Sequence, residues 1–322
     1  MYVNMDKEYK ISINVTPKAF EGLARQGMLF HQGVCELCDD AIAACILGEK
    51  AHVCVALAAD PDKHYLQLAV ADWGFGMELS SLTNALQLGS APLNDNRLNE
   101  HGYGLNNALA CLSGGSGDWC IYTRCQPGPY YKVSGPFDLN MTVKMTNTID
   151  LPETLNLQWP EPSTVIYVRV PMSMARTLQR QGNRKLSDLS TLRQWLIEHL
   201  GVAYRGYLEL DPVSLEPSAK IAVTIGQSSL LVPPIPVPMM MARTERLEVE
   251  LGGQVVPVTY IHGTLDKSKR EHLVHGSKTR YYYQCSQPTQ GIDIRLGKRV
   301  IATAQLGEIW HREDGSPLCR HN

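Results

Sequence analysis

No stretch of the sequence approaches the roughly 18 uninterrupted apolar residues that a bilayer-spanning helix needs, so no transmembrane segment is expected. Met1 to Lys10 is polar and lacks the apolar run of a secretory signal, which makes the cytoplasm the expected compartment. No internal repeat is visible, so a solenoid or propeller is not indicated. Cysteines are present, nine of them, but not as a disulfide framework: Cys45, Cys54 and Cys111 stand in apolar segments, as buried thiols do. One close pair, Cys35 and Cys38, has metal-like spacing. It falls in a helix-like stretch without a second pair, and Cys120 and Cys125 enclose strand-like residues. A structural zinc site needs four ligands, so core packing is the better reading of all of them.

The 322 residues suffice for two ordinary domains or one large one, and 44% hydrophobic with 19% charged residues is a globular composition. The net charge of −2 conceals a division. Residues 1–172 carry 11 basic and 18 acidic side chains, whereas residues 173–322 carry 19 basic and 14 acidic ones. A basic second half suits phosphates, whether of a nucleotide or of nucleic acid, and equally suits an ordinary solvated surface.

Thr16-Pro17 reads as an N-cap and first helical proline of a helix reaching about Arg25. Between Gln32 and Leu47, Val34, Leu37, Cys38, Ala41, Ile42 and Cys45 recur at helical spacing. Strand-like runs follow over Ala51–Ala58 and Tyr65–Ala71, joined by Asp60-Pro61-Asp62, with a short helix near Ser80–Leu88. Residues 89–101 read as a loop, and a helix opens near Tyr103. Strands are expected at Trp119–Arg124, Tyr130–Ser134, Leu139–Met145 and Thr164–Val170, with a break near Pro171–Met174. Beyond it come a capped helix over Ser187–Leu200 and strands at Ile221–Ile225, Leu247–Leu251, Val255–Ile261, Arg280–Cys285, Ile292–Arg295 and Arg299–Ile301. Val232–Met241, with its four prolines, reads as an extended connection. The last dozen residues hold no closing element, as expected of a chain that continues.

Three segments carry chemistry. Glu36 and Asp40 lie four apart on the second helix, hence on one face, where two carboxylates repel unless a cation or proton is near. Asp40 suits Mg²⁺, which prefers oxygen ligands, and Glu36 suits polarising a water beside a terminal phosphate. Asp72-Trp73-Gly74-Phe75-Gly76-Met77 follows a strand. Its glycines let the backbone approach a flat ligand and adopt positive φ, and Asp72 can accept a hydrogen bond from an adenine amino group. Asn99-Glu100-His101-Gly102-Tyr103-Gly104-Leu105 closes the loop and opens a helix. Glycines there clear room for phosphates in front of unpaired N–H groups. Each segment alone also reads blandly, as an acidic helix face, a turn, and a helix start; their order is what carries weight.

In that order they resemble the N box and the two glycine boxes of the GHKL superfamily, which holds gyrase B, heat-shock ATPase chaperones, histidine kinases, MutL and MORC proteins. The resemblance implies an α+β Bergerat-fold α/β sandwich, a mixed, mostly antiparallel sheet with helices on one face, in residues 1–172. A transducer-like mixed α/β domain in residues 173–322 would follow. It implies ATP and Mg²⁺ as ligands, Leu88–His101 as a lid, Glu36 as general base and Asp40 as Mg²⁺ ligand where the family usually has asparagine. Asp72 would be the adenine anchor, with Gly74, Gly76, Met77, Asn99, Gly102, Tyr103, Gly104 and Leu105 around the nucleotide. Asn99 stands where many members have glycine, and Ser163-Thr164 stands at the family's Gly-Thr, with Thr164 supplying the hydroxyl. Glu36, and the short stretch 1–35 before it, disfavour the histidine-kinase branch. The stretch Gln290–Ile301 is similar to the end of the chaperone and MORC transducers, and Lys267, Lys269, Lys278 and Lys298 stay open as γ-phosphate contacts. The expected activity is Mg²⁺-dependent ATP hydrolysis that gates a homodimer acting on a nucleic-acid or protein client, with no membrane partner. The alternative is an ATP sensor without turnover.

Overall fold

The computed structural model describes residues 17–25, 27–45, 49–89, 103–125, 127–178, 188–265, 292–303 and 305. The architecture is mixed α and β, built on an eight-stranded, mostly antiparallel sheet. In chain order its strands are β1 (Ala51–Ala59), β2 (Tyr65–Asp72), β3 (Trp119–Thr123), β4 (Tyr130–Ser134), β5 (Lys144–Thr146), β6 (Thr164–Pro171), β7 (Ala219–Ile225) and β8 (Ser228–Leu231). They lie side by side as β5-β4-β3-β6-β2-β1-β7-β8, and the β1–β7 pair is parallel.

Alternation along the two central strands sorts the two faces. Val53, Val55 and Leu57 of β1, with Leu66, Leu68 and Val70 of β2, enter the main core. They meet there three helices, α2 (Phe30–Ala43), α4 (Gly104–Leu112) and α6 (Leu189–Ala203). The opposite face carries Cys54, Ala56, Ala58, Ala69 and Ala71. These side chains are too short to hold a helix layer at the usual spacing. An irregular strap, residues 149–162, lies on them instead, through Leu155 and the partly buried Ile149, Leu151, Leu157 and Trp159. Hydrogen bonds fasten it: Tyr122 Oη donates to Asp150 O, Thr154 Oγ1 to Gln67 Oε1, Thr224 Oγ1 to Asn156 O, and Trp73 Nε1 to Pro160 O.

The β1–β2 turn forms as its Asp residues dictate. The Asp62 amide donates to Asp60 Oδ1 at 2.9 Å and the His64 amide to Asp62 Oδ1 at 3.0 Å, while Arg169 of β6 grips both Asp60 oxygens. The remaining helices are α1 (Pro17–Leu23), α3 (Leu79–Leu86), α5 (Met172–Ala175) and α7 (Arg205–Leu208), with a 3-10 turn over Arg176–Leu178. Asp188 caps α6 by accepting from the Thr191 amide at 2.7 Å.

The sheet and its core continue past the expected division at residues 172 and 173. Strand β7 pairs with β1, and Leu192, Trp195, Leu196, Ile197 and Leu200 of α6 share the core of α2 and α4. Two expectations differ in extent. Leu139–Met145 gives only β5 at its far end, reaching Thr146; Leu139 is exposed, while Met141 and Val143 pack on the core outside any strand. The proline-rich connection ends earlier than expected, because β9 (Met239–Leu251) starts two residues before Met241. It pairs with β10 (Gln254–Leu265) in a long exposed hairpin that turns on Gly252 and Gly253, both at positive φ as a tight two-residue turn requires. The strand expected over Arg280–Cys285 lies outside the described residues. A second small hairpin, β11 (Ile294–Leu296) and β12 (Arg299–Ala302), completes the order. Among the described residues no helix is long and apolar enough to cross a membrane.

Candidate functional site

Asp72 closes β2, and the antiparallel register sets it opposite Thr164, the first residue of β6. It is 6% exposed. Its Oδ1 accepts the Gly74 amide at 2.9 Å, and Thr164 supplies a side-chain hydrogen bond. Burial pushes the carboxyl up to about 7 against the pull of those two donors. Thr164 Oγ1 is 3.1 Å from Thr123 Oγ1, which accepts the Met77 amide at 2.8 Å. The Gly-rich turn is thus laced to the ends of β3 and β6, and Ser163 Oγ adds a bond to Gly74 O at 2.6 Å.

The two glycines of this turn answer to the protein backbone. A Cβ on Gly74 would sit 2.0 Å from the Ala44 carbonyl oxygen, at the end of α2. One on Gly76, whose φ is +66°, would sit 1.9 Å from the Arg124 oxygen. The Phe75 amide donates to Ala44 O at 2.9 Å across the first of these approaches. Glycine is required here to let the turn close onto α2 and β3, a requirement that stands with or without a ligand.

Helix α2 carries three carboxylates close together in this region. Glu36 and Asp40 share one face, as the four-residue spacing predicts, and Asp39 flanks them. Asp40 Oδ2 is shut off from solvent and has no hydrogen-bond partner among the described residues. Burial pushes its carboxyl up to about 8, and Glu36, Asp39 and Asp72 push in the same direction. Glu36 is half-buried and also raised, by burial and by Asp39, with the Arg299 charge opposing. An orphaned buried carboxylate oxygen among other carboxylates is what a small divalent cation would satisfy, so Asp40 fits a Mg²⁺ ligand. Among the described residues no three His, Cys, Asp or Glu side chains are grouped to hold a metal by themselves. Any cation there would draw its other oxygens from water and ligand, which is how Mg²⁺ sites are usually built.

The first turn of α4 meets Glu36 directly: a Cβ on Gly104 would lie 2.6 Å from Glu36 Oε2. Among the described residues no side chain caps this helix, so its leading N–H groups face forward, as an anion site needs. Tyr103 stands just ahead, 51% exposed, with its hydroxyl against Gly89. Leu105 is buried in the core behind the helix start. Asn99 and Gly102 lie outside the described residues. The structure therefore brings together Glu36, Asp40, Asp72, Gly74, Gly76, Met77, Gly104 and Thr164.

Sequence reasoning missed the side of the site supplied from far along the chain. Arg299 of β12 grips Asp39 with Nε at 2.8 Å and Nη2 at 3.1 Å. Its guanidinium lies 4.5 Å over the Tyr204 ring, whose hydroxyl is 2.8 Å from Asp39 Oδ1 and 2.7 Å from Cys35 O. Beside this group opens a cleft of about 750 Å³ between α2, α6 and β12, lined by Glu36, Asn107, Arg299 and a stacked pair, His31 and His199. The two rings are 3.9 Å apart and 13° from parallel. Burial, then the Arg299 charge, lowers His31 to about 4, so the stack is neutral at physiological pH. Of the lysines left open as phosphate contacts, Lys298 bonds Ser218 Oγ, and Lys267, Lys269 and Lys278 lie outside the described residues. Cys35 and Cys38 are both buried in the core of α2, their thiols pushed up by burial, Cys35 to about 11.

A scan of protein-family models finds none that matches this chain, and a search of curated proteins likewise finds no match.

Proposed function

We propose that the chain binds Mg²⁺-ATP and hydrolyses it, as a Bergerat-type ATPase module of the gyrase, chaperone and MORC kind. One observation carries the reading: Glu36, Asp40 and Asp72 converge from α2 and β2, partly or wholly buried, and Asp40 keeps an oxygen with no partner. A buried carboxyl oxygen with no partner among the described residues costs stability, and a divalent cation would remove that cost. In this reading Asp40 holds Mg²⁺, Asp72 with Thr164 receives the adenine, and Glu36 orients the attacking water. The leading amides of α4, from Tyr103 and Gly104 onward, face the phosphates, with Asn99 and Gly102 in the loop before them. When bound, Mg²⁺ would neutralise phosphate charge. ATP would order the loop 88–101, and two protomers would close on a nucleic-acid or protein client. Residues 1–172 would hold the ATP, completed by α6, β7 and β8, which share their sheet and core, and the rest of residues 173–322 would act as the transducer.

A second reading, an ATP sensor without turnover, draws on the state of Asp40. A carboxyl raised to about 8 must lose its proton before it can hold a cation, which weakens Mg²⁺ at neutral pH. Steady-state phosphate release and binding calorimetry on the parent, Glu36→Ala and Asp72→Asn separate the readings. Loss of turnover by at least roughly a hundredfold in Glu36→Ala, with binding kept, supports the ATPase. Binding without turnover in the parent supports the sensor, and absence of binding removes both.

A further inference from the structure

Three carboxylates stand within five residues on α2, and Asp39 has a fixed counter-charge that comes from 260 residues further along. Arg299 holds it with two parallel bonds, and both side chains are buried, 13% and 14% exposed. Two-point contact of this kind fixes orientation as well as distance. Tyr204 of the loop after α6 completes the enclosure, its ring beneath the guanidinium and its hydroxyl on Asp39. The hairpin that carries Arg299 is pinned a second time. Arg205 of α7 bonds Asp293 at 3.1 Å, again with both partners largely buried. Gly206 admits the hairpin closely, since a Cβ there would meet Arg295 Nη2 at 2.1 Å and Lys298 O at 2.7 Å.

Arg299 also shares the cleft wall with Glu36, and its charge reaches that carboxylate, opposing Asp39. Undocking the β11–β12 hairpin would do two things at once to α2. The helix would lose the brace that sets its rotation, and a bare, largely buried Asp39 would stand three residues from Glu36. Either change moves Glu36 relative to Gly104, with which it is already in close approach.

We propose that Arg299 is a positioning residue for Glu36, and that docking of the β11–β12 hairpin on Asp39 is what makes the site competent for turnover. This rests on the reading of Glu36 as the water-orienting base. The hairpin would make ATP turnover depend on the state of the chain on either side of it, without itself contacting nucleotide.

The test uses the full chain and measures kcat, the Mg²⁺-ATP dissociation constant and the thermal midpoint for the parent, Arg299→Ala, Arg299→Lys and the double variant Asp39→Asn/Arg299→Leu. Arg299→Ala should lower kcat on the order of tenfold to a hundredfold while the dissociation constant stays within about threefold. Arg299→Lys, which keeps the charge and loses the two-point grip, should fall between. The double variant removes both buried charges and should recover part of the loss, because the damage comes from the stranded Asp39. Should Arg299→Ala fail to fold, the lysine and double variants carry the same comparison. Parent-like kcat in the variants, or a kcat that falls only in proportion to folded protein, overturns the proposal. So does a double variant no better than Arg299→Ala. A parent that binds no ATP, or turns over equally with Glu36→Ala, removes the ATPase reading itself and this proposal with it.

Discussion

Replacing Asp40 with asparagine should stabilise the protein at neutral pH, and the gain should depend on pH in a defined way. The Asp40 carboxyl, ordinarily at 3.8, is pushed up to about 8 by burial and by Glu36, Asp39 and Asp72. Below pH ~4 the native and unfolded chains are both protonated at this position, and nothing is lost. As pH rises, the unfolded chain ionises while the native one holds its proton, so stability declines until pH reaches about 8. Each pH unit is worth about 1.4 kcal/mol, and pH 7 lies about three units above 3.8, so the accumulated penalty there is about 4 kcal/mol. Against a total of roughly 5–15 kcal/mol that is a large share. An uncharged amide in place of the carboxyl escapes it. Urea unfolding of parent and Asp40→Asn, in metal-free buffer between pH 5 and 8, measures the difference. The gap should widen with pH. Asp72, raised to about 7, has the same sign and His31 the opposite one; His31 cancels from the difference, while Asp72, whose charge bears on Asp40, cancels only in part. A gap that stays flat across this range would refute the shielding of Asp40 Oδ2 from solvent and partners.

Gly74→Ala places a methyl group 2.0 Å from the Ala44 oxygen and should cost about 3 kcal/mol or more, lowering the urea midpoint whether or not ATP is present. Gly22→Ala, on the exposed side of α1 with nothing within 4 Å, is the matched control and should be neutral or slightly stabilising. His31 titrates near 4, so its ring resonances should not move above pH ~5, and the stability it contributes is lost as pH falls from 6.5 through 4. A titration midpoint near 6.5 would mean the stack with His199 is open. Trp159 ties the strap to His52 and Trp73, at 5.0 and 5.2 Å between rings. Trp159→Ala should therefore speed glutamyl-endoprotease cutting at Glu153 and Glu161 several-fold without unfolding the sheet; unchanged cutting rates would show the strap held by its hydrogen bonds alone.

What was legible in the sequence was local. The helical spacing of Val34, Leu37, Cys38 and Ala41 located α2, and the strand-like apolar runs Ala51–Ala58 and Tyr65–Ala71, with a turn between them, located the central pair to within a residue or so. Glu36, Asp40 and Asp72 could be singled out because helix and strand periods fix which way they face. Their convergence also needed the β2–β6 register that sets Asp72 against Thr164. Long-range pairing leaves no such trace. Nothing in Ala219–Ile225 announces β1 as its parallel partner, and nothing in Arg299 announces Asp39. Leu139–Met145 shows the converse, an alternating run of which only Met141 and Val143 reach the core, while Leu139 and Met145 stay exposed and a strand forms only over Lys144–Thr146. The glycines at 74 and 76 were expected to admit a flat ligand and positive φ; Gly76 has positive φ, and the close neighbours of both are Ala44 and Arg124, which only the folded chain reveals.

The parallel pairing of β1 with β7 also sets a timetable. A chain leaving the ribosome completes β1 and β2 long before residues 219–225 exist, and until then one edge of an apolar strand, Val53 to Leu57, has no neighbour. At about 5–20 residues per second the interval is roughly ten to thirty seconds. Unpaired apolar edges recruit other chains, so the nascent protein passes through a window in which its own copies compete with β7. A fragment stopped at residue 172 would never leave that window. Expression of the amino-terminal part by itself is thus better ended after β8, at residue 232 or beyond, where the edge has already been closed by the chain that owns it.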